Sequence, residues 1–240
     1  MRNERIIREF LELQEAGSSR YRALLFLLKK YEIDFKIETC RGGRCRNIVL
    51  PLTDEKKYAA LVAHYDVVPK SLGINDNLCS VALLIELAMD LKGKLKKPLN
   101  IVFTDLEESG MIGATSYARR HINNIDYALV FDIIGYGNQH FIGTHKNELY
   151  KRLEGLKTLV RINTVLPSDN VAIESSGLDT AIITAAHRDD IIESKTGIRY
   201  ITRNAKFYES FHNRLFDNDI DVINFKLVEK LKVDLVNFYG

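Results

Sequence analysis

The sequence predicts a three-layer α/β/α fold with a central, mixed and mostly parallel sheet. Three observations support this fold class: short apolar runs alternate with segments of helical periodicity, 46% of the 240 residues are hydrophobic, and no repeat or linker divides the chain. Short apolar runs indicate strands that are buried on both faces, as occurs when helices cover a parallel sheet. Length and composition predict one domain over residues 1–240.

The predicted elements follow in order along the chain. Leu and Ile recur at helical spacing over residues 2–15 and 19–31, which predicts two helices. The stretches 35–38 and 47–50 predict a hairpin with Gly42 near its tip. Further strands are predicted at 58–63, 99–104, 128–133 and 182–185, and further helices at 81–91, 112–120 and 220–238.

Charge and cysteine content restrict the class of protein. The chain has 34 Lys+Arg against 32 Asp+Glu, which gives no reason to expect nucleic acid or an anionic membrane as a partner. The charged start lacks the features of a secretory signal, so we expect a cytoplasmic protein. The three cysteines are an odd number, and we interpret Cys40, Cys45 and Cys79 as free thiols. A disulfide between Cys40 and Cys45 is the alternative.

Candidate metal ligands fall where three predicted strands end. The carboxyl ends of parallel strands meet at one edge of a sheet, where the sites of open α/β folds form. The residues after these strands are His64 and Asp66, Glu107 and Glu108, and Asp132, while Asp76 precedes a predicted helix and His212 lies towards the end of the chain. Imidazole and carboxylate groups on one rim are the ligands that a zinc site requires.

Each of these positions also has an ordinary structural interpretation. Asp76 could cap the helix that follows it, and Glu107 and Glu108 could be solvated acids in a first helical turn. Asp132 could fix a turn, and His212 could be a surface residue. The order and spacing of the whole set favour the metal site over these separate explanations.

The set resembles the two-zinc aminopeptidase family of the bacterial leucyl aminopeptidase type, which includes glutamate carboxypeptidases and has glutaminyl cyclases as relatives. The resemblance covers most of residues 58–225. The matching segments are Leu61-Val-Ala-His64-Tyr-Asp66, Gly73-Ile-Asn-Asp76-Asn77, Val102-Phe-Thr-Asp-Leu-Glu107-Glu108-Ser-Gly110, Phe131-Asp132-Ile-Ile-Gly135, Pro167-Ser-Asp169 and Phe211-His212. The family order is kept throughout.

This resemblance implies a set of metal ligands. Asp76 would bridge two divalent ions. Zinc is the first choice for both, although mixed imidazole and carboxylate ligands also accept cobalt and manganese. His64 and Asp132 would complete one metal site, and Glu108 and His212 would complete the other. The zinc-exopeptidase fold is implied with them.

The resemblance also implies catalytic roles. Glu107 would be the general base that takes a proton from water and returns it to the leaving amine. Asp66 would accept the second ring N–H of His64 and fix its tautomer. The substrates would be short peptides with a free N-terminus, and the free α-amine would bind near Asp132 or Glu107. The resemblance leaves open whether the protein forms a homo-oligomer.

Several features depart from the family pattern. Asn170 follows Ser168-Asp169 where members often have histidine, and no tyrosine occurs at 163–166 to steady an oxyanion, a role that Tyr208 could take. The segment 188–204 could be a lid or a surface hairpin.

The alternatives are a glutaminyl cyclase-like acyltransferase and a non-catalytic, peptidase-like binding domain. The absence of tryptophan and the Asp76-Asn77 pair count against the cyclase, and the full set of ligands counts against the binding domain.

Overall fold

The computed structural model describes residues 1–163, 165–195, 199–201 and 217–240. Its strands are β1 Lys36–Cys40, β2 Cys45–Leu50, β3 Tyr58–His64, β4 Leu99–Thr104, β5 Ile125–Phe131, β6 Gln139–Gly143, β7 Leu159–Ile162, β8 Thr180–Ala186, β9 Ile191–Glu193 and β10 Arg199–Ile201. Its helices are α1 Arg2–Glu15, α2 Arg20–Lys30, α3 Cys79–Leu91, α4 Ile112–His121, α5 Asn147–Arg152, α6 Asp169–Ser175 and α7 Phe225–Tyr239.

Eight of these strands form one mixed sheet in the order β1-β2-β4-β3-β5-β8-β6-β7. The four strands β4, β3, β5 and β8 are parallel to one another, and so are β6 and β7. The hairpin β1–β2 is antiparallel, and it joins the sheet through an antiparallel pairing of β2 with β4. The prediction of a mixed and mostly parallel sheet is confirmed. Strands β9 and β10 form a separate hairpin.

Helices cover both faces of the sheet. On one face, Leu61 and Ile101 belong to a buried cluster with residues of α1, α2, α3 and α7. On the other face, Val62 and Val102 pack with residues of α4 and α6. Adjacent residues of one strand point to opposite faces, so this division gives the predicted three layers.

Two predicted elements are shortened at one end by two residues or more, and each has a local cause. The predicted strand 128–133 ends at Phe131 because Ile133 has a φ of 55°, which interrupts an extended strand. The predicted helix 220–238 is interrupted, and α7 begins only at Phe225. Asn224 sets this start, because its side chain accepts a hydrogen bond from the N–H of Leu227 at 3.1 Å.

The prediction of three free thiols is wrong for two of them, because a disulfide joins Cys40 to Cys45. The antiparallel register of the hairpin places these residues opposite each other, with Cα atoms 4.9 Å apart. That separation lies within the range that a disulfide spans. Cys79 is a buried free thiol. Among the described residues, no helix is long and apolar enough to cross a membrane.

Candidate metal centre

The parallel strands bring candidate ligands to one edge of the sheet, as predicted. His64 is the last residue of β3 and lies beside Thr104, the last residue of β4. Glu107 follows β4 after two intervening residues, and Asp132 follows β5 directly. Asp76 reaches the same edge from the irregular turn Ile74–Leu78, in which the Asp76-Asn77 peptide bond is cis.

His64 lies between two carboxylates at this edge. Its Nε2 atom is 3.1 Å from Oδ1 of Asp76 and 3.6 Å from Oδ1 of Asp132. All three side chains are buried. One potential ligand atom from each of His64, Asp76 and Glu108 lies within 4.8 Å of the other two. The fold therefore collects an imidazole and carboxylates from separate segments into one cluster.

Burial and mutual contact set the protonation of this cluster. Burial favours the neutral ring of His64, but its contacts with Asp132, Asp66 and Asp76 outweigh burial and raise its pKa well above the usual range. Burial and the nearby charge of Asp76 raise the pKa of Asp132. The carboxylates around His64 therefore favour a positive charge between them.

The donor atoms of this cluster fit a divalent metal ion. Nε2 of His64 and Oδ1 of Asp132 are buried, and apart from the close approaches within this cluster neither atom has a hydrogen-bond partner among the residues that the structure describes. Buried polar atoms are normally paired, so two such atoms 3.6 Å apart need an explanation. A cation that both atoms coordinate provides one, and mixed imidazole and carboxylate ligands are those of zinc.

Asp66 connects the histidine to the segment that carries the paired glutamates. Its two carboxylate oxygens accept the N–H groups of Glu107 and Glu108, at 3.0 and 3.1 Å. Nδ1 of His64 lies 3.3 Å from the backbone carbonyl of Asp66 and 3.5 Å from its carboxylate. The structure thus places Asp66 beside the ring, as expected, and gives its carboxylate a second contact that the sequence did not predict.

Glu107 is partly buried beside this cluster. Burial raises the pKa of Glu107 to about 8, and the neighbouring His64 partly opposes this rise. Because Asp66 fixes the backbone of Glu107 and of Glu108 at adjacent positions, the two side chains start from a defined geometry.

Asp217 is a residue of the site that the sequence analysis missed. Its Oδ1 accepts the N–H groups of Asn75 and Asp76 at 2.9 and 3.0 Å, and its other oxygen accepts the hydroxyl of Ser71. Its backbone carbonyl accepts the N–H of Ile74 at 3.0 Å. Asp217 therefore fixes the loop that carries Asp76, and no sequence motif around it indicates this role.

Arg20 is a second residue that the sequence did not indicate. It is the first residue of α2, and its guanidinium donates to the carbonyls of Tyr65 and Leu72 at 2.6 and 2.7 Å. Burial lowers its pKa to about 10, and nearby carboxylates, first among them Asp217, oppose that effect. Arg20 remains a cation and joins the loop after β3 to the loop that carries Asp76.

Asp169 lies buried at the start of α6, close enough to His64 and Asp132 for their charges to act on it. It accepts a hydrogen bond from the hydroxyl of Thr104, and burial raises its pKa to about 7. Asn170, which stands where relatives often have histidine, is also buried, and its side chain accepts the N–H of Ser168 at 3.0 Å. The structure gives both residues places in the interior.

Two predicted site residues, His212 and Tyr208, lie outside the described residues. Of the segment 188–204, the described part contains the β9–β10 hairpin. His140 has a structural role, because its ring is buried and its Nε2 atom lies 2.9 Å from the carbonyl oxygen of Ile134.

The fold is shared with several solved structures. A glutaminyl cyclase from Porphyromonas gingivalis superimposes with a TM-score of 0.72 at 16% identity, over 99% of this chain and 96% of that one. A Zn-dependent exopeptidase from Parabacteroides distasonis superimposes with a TM-score of 0.67 at 16% identity, over 98% of this chain and 97% of that one. BSAP, a zinc aminopeptidase from Bacillus subtilis, superimposes with a TM-score of 0.62 at 18% identity over 80% of this chain.

This chain spans about half the length of BSAP, since the match covers 49% of that chain. Comparison with the curated proteins gave no significant match. The model of peptidase family M28 matches residues 47–214, which contain every candidate metal ligand, and this confirms the resemblance predicted from the sequence. The chain therefore belongs to peptidase family M28.

Proposed function

We propose that this protein is a metal-dependent aminopeptidase that removes the N-terminal residue of short peptides. Two divalent ions, zinc by preference, would bind per chain, with Asp76 between them. His64 and Asp132 would complete one metal site, and Glu108 and His212 would complete the other. Family membership supports a hydrolase, and zinc enzymes share the fold.

The observation that carries this proposal is the position of His64 between Asp76 and Asp132, 3.1 and 3.6 Å from their oxygens. A histidine with one carboxylate is common in proteins for structural reasons. A buried histidine between two carboxylates, with a third carboxylate within 4.8 Å, is typical of a metal centre.

The protein's own residues then have defined tasks. Bound zinc would polarise the scissile carbonyl and lower the pKa of water. Glu107 takes a proton from the attacking water and delivers it to the leaving amine. Asp66 holds the backbone of Glu107 and Glu108, so that one side chain is available as base and the other as ligand. Asp132 or Glu107 receives the free α-amine of the substrate, which limits cleavage to the chain end.

A panel of aminoacyl anilides and dipeptides tests this proposal. Substrates with a free amine should be hydrolysed, and their N-acetylated versions should resist. Activity should disappear after chelation and return when zinc, cobalt or manganese is added, with two ions bound per chain. Equal turnover of free and blocked peptides would contradict the role given to the amine.

The glutaminyl cyclase reaction is the second candidate, because the Porphyromonas gingivalis cyclase matches this chain over nearly its whole length. A peptide with N-terminal glutamine separates the two reactions. Cyclisation releases ammonia and leaves every peptide bond intact, whereas an aminopeptidase releases free glutamine. Saturation at one metal ion per chain would also favour the cyclase. Metal binding without turnover in either assay would favour the binding domain.

The cytoplasmic location remains a prediction. The Cys40–Cys45 disulfide counts against it, because disulfides are typical of oxidising compartments.

A further inference from the structure

An open cavity of about 660 Å³ lies between the tip of the β1–β2 hairpin and helix α4. Residues that line it include Cys40 and Arg41 at the tip, Gly110, and Ser116, Arg119 and Arg120 of α4. We call this cavity the basic cleft. The proposed mechanism uses none of these side chains.

The basic cleft contains two arginines whose charge no described residue neutralises. Arg41 and Arg119 are exposed, and neither makes an ion pair or a side-chain hydrogen bond with a residue that the structure describes. Arg120 differs, because Glu38 and the carbonyl of Thr39 bind its guanidinium at 3.0 and 2.9 Å. No carboxylate is among the described residues that line the cleft.

A helix dipole explains only part of this charge. Arg119 and Arg120 lie in the last turn of α4, where cations interact favourably with the helix terminus. Arg41 belongs to another element, and the hairpin tip brings it to the same cavity. The net charge of the chain is only +2, so arginines from two elements on one cavity are a local concentration rather than a general excess.

The basic cleft is attached firmly to the segment of the paired glutamates. Next to the disulfide, the N–H of Arg46 donates to the carboxylate of Asp105 at 2.9 Å. The side-chain amide of Asn47 donates to the carbonyl of Gly113 at 2.9 Å. These contacts hold the hairpin tip against both ends of the segment that contains Glu107. The cleft and the candidate metal centre are therefore parts of one structural unit.

Chain geometry limits the distance between the basic cleft and the candidate metal centre. Gly110 lies two residues after Glu108, so their Cα atoms are at most about 7.6 Å apart. Arg119 lies seven residues after Ile112 along α4, a rise of about 10 Å. An extended chain advances about 3.3 Å per residue, so three to five residues span about 10–17 Å, which is the scale of this path along the chain.

We propose that the basic cleft binds acidic side chains of the substrate, about three to five residues beyond the scissile bond. The inference rests on the proposed aminopeptidase function and adds a substrate class, peptides with acidic residues at those positions. Arg41 and Arg119 attract the substrate carboxylates, and the hydroxyl of Ser116 is available as a hydrogen-bond donor.

The test uses hexapeptides with one hydrolysable N-terminal residue and an amidated C-terminus. One peptide has Glu at positions five and six, and its partner has Gln there. We expect kcat/KM for the acidic peptide to exceed that for the neutral one about threefold to tenfold at low salt, as two exposed ion pairs allow. The difference should lie in KM and should decrease as salt is added. Peptides with a free C-terminal carboxylate show whether that group alone has the same effect.

Variants locate the effect. In Arg41→Gln and Arg119→Gln the ratio of acidic to neutral kcat/KM should fall, and in the double variant it should approach one. The ratio is internal to each variant, so a general loss of activity does not alter it. Arg44→Gln is the matched control, because Arg44 is an exposed arginine of the same hairpin that does not line the cleft. Its ratio should stay at the wild-type value.

The outcomes separate this inference from the proposed function. If aminoacyl anilides are not hydrolysed by the metal-loaded protein, the aminopeptidase function fails. If they are hydrolysed but acidic and neutral hexapeptides react equally, the function stands and the cleft proposal is overturned. An acidic preference that survives in the double variant would also overturn it.

Discussion

Replacement of Asp217 by alanine should destabilise the protein and weaken its metal binding together. The change removes the acceptor for the N–H groups of Asn75 and Asp76, both of which belong to buried residues. A buried donor without a partner costs about 1–3 kcal/mol, so two such donors should lower the free energy of unfolding by about 2–6 kcal/mol. Asp76 would also lose the contact that fixes its backbone, so zinc affinity should fall.

Urea unfolding with a chelator measures the first effect, and competition titration with zinc measures the second. Asp217→Asn keeps an oxygen for the two N–H groups and should lie between wild type and Asp217→Ala. Asp221→Ala is the matched control, since it removes an exposed carboxylate four residues away. If Asp217→Ala stays within about 0.5 kcal/mol of this control and binds zinc normally, the role given to Asp217 is wrong.

Three further predictions follow from the site and the fold. Glu107→Gln should lower turnover by about 10²–10⁴ with metal content unchanged, whereas Glu108→Gln should weaken metal binding, and excess metal should restore part of the rate. Turnover and metal content are measured on the same preparations, and a Glu107→Gln protein that loses metal would refute the assignment. Cys40→Ser removes the disulfide to Cys45, which closes a small loop, and should lower the free energy of unfolding by about 2 kcal/mol. Chemical denaturation measures this difference, and an unchanged value would show that the disulfide adds no stability. Burial lowers the pKa of His140 to about 4 from 6.5, so the unfolded chain binds the extra proton first and stability is lost as pH falls from 6.5 towards 4. Between pH 7 and pH 4, wild type should lose about 3 kcal/mol more than His140→Gln, and parallel pH curves would refute this.

The sheet and the edge that carries the ligands could be predicted because their signals are local. The apolar run 58–63 is long enough to identify a buried strand, and His64 follows it directly. Parallel strands end at one edge by geometry, which is why His64 and Asp132 meet although 68 positions separate them. The same reasoning identified β4 and the acids that follow it.

Other parts of the site depend on contacts that leave no local pattern. In the sequence, Arg20 is an ordinary residue at the start of a helix. Only the folded chain shows that its guanidinium binds the carbonyls of Tyr65 and Leu72. Asp217 is one of several acids near the end of the chain, and its neighbours at Asn75 and Asp76 are distant in sequence. Composition alone does not favour the disulfide, because it does not show that the hairpin register places Cys40 opposite Cys45.

The hydrogen bond between Asp217 and the N–H of Asp76 joins positions 141 residues apart. A chain that is being synthesised on the ribosome therefore contains His64, Asp76 and Asp132 long before it contains the residue that holds their loop. Closing so long a loop is a late event in folding, because its entropic cost precedes the contacts that offset it. An N-terminal fragment that stops before Asp217 has ligands without a rigid arrangement, so truncated translation products should not capture metal as the finished protein does.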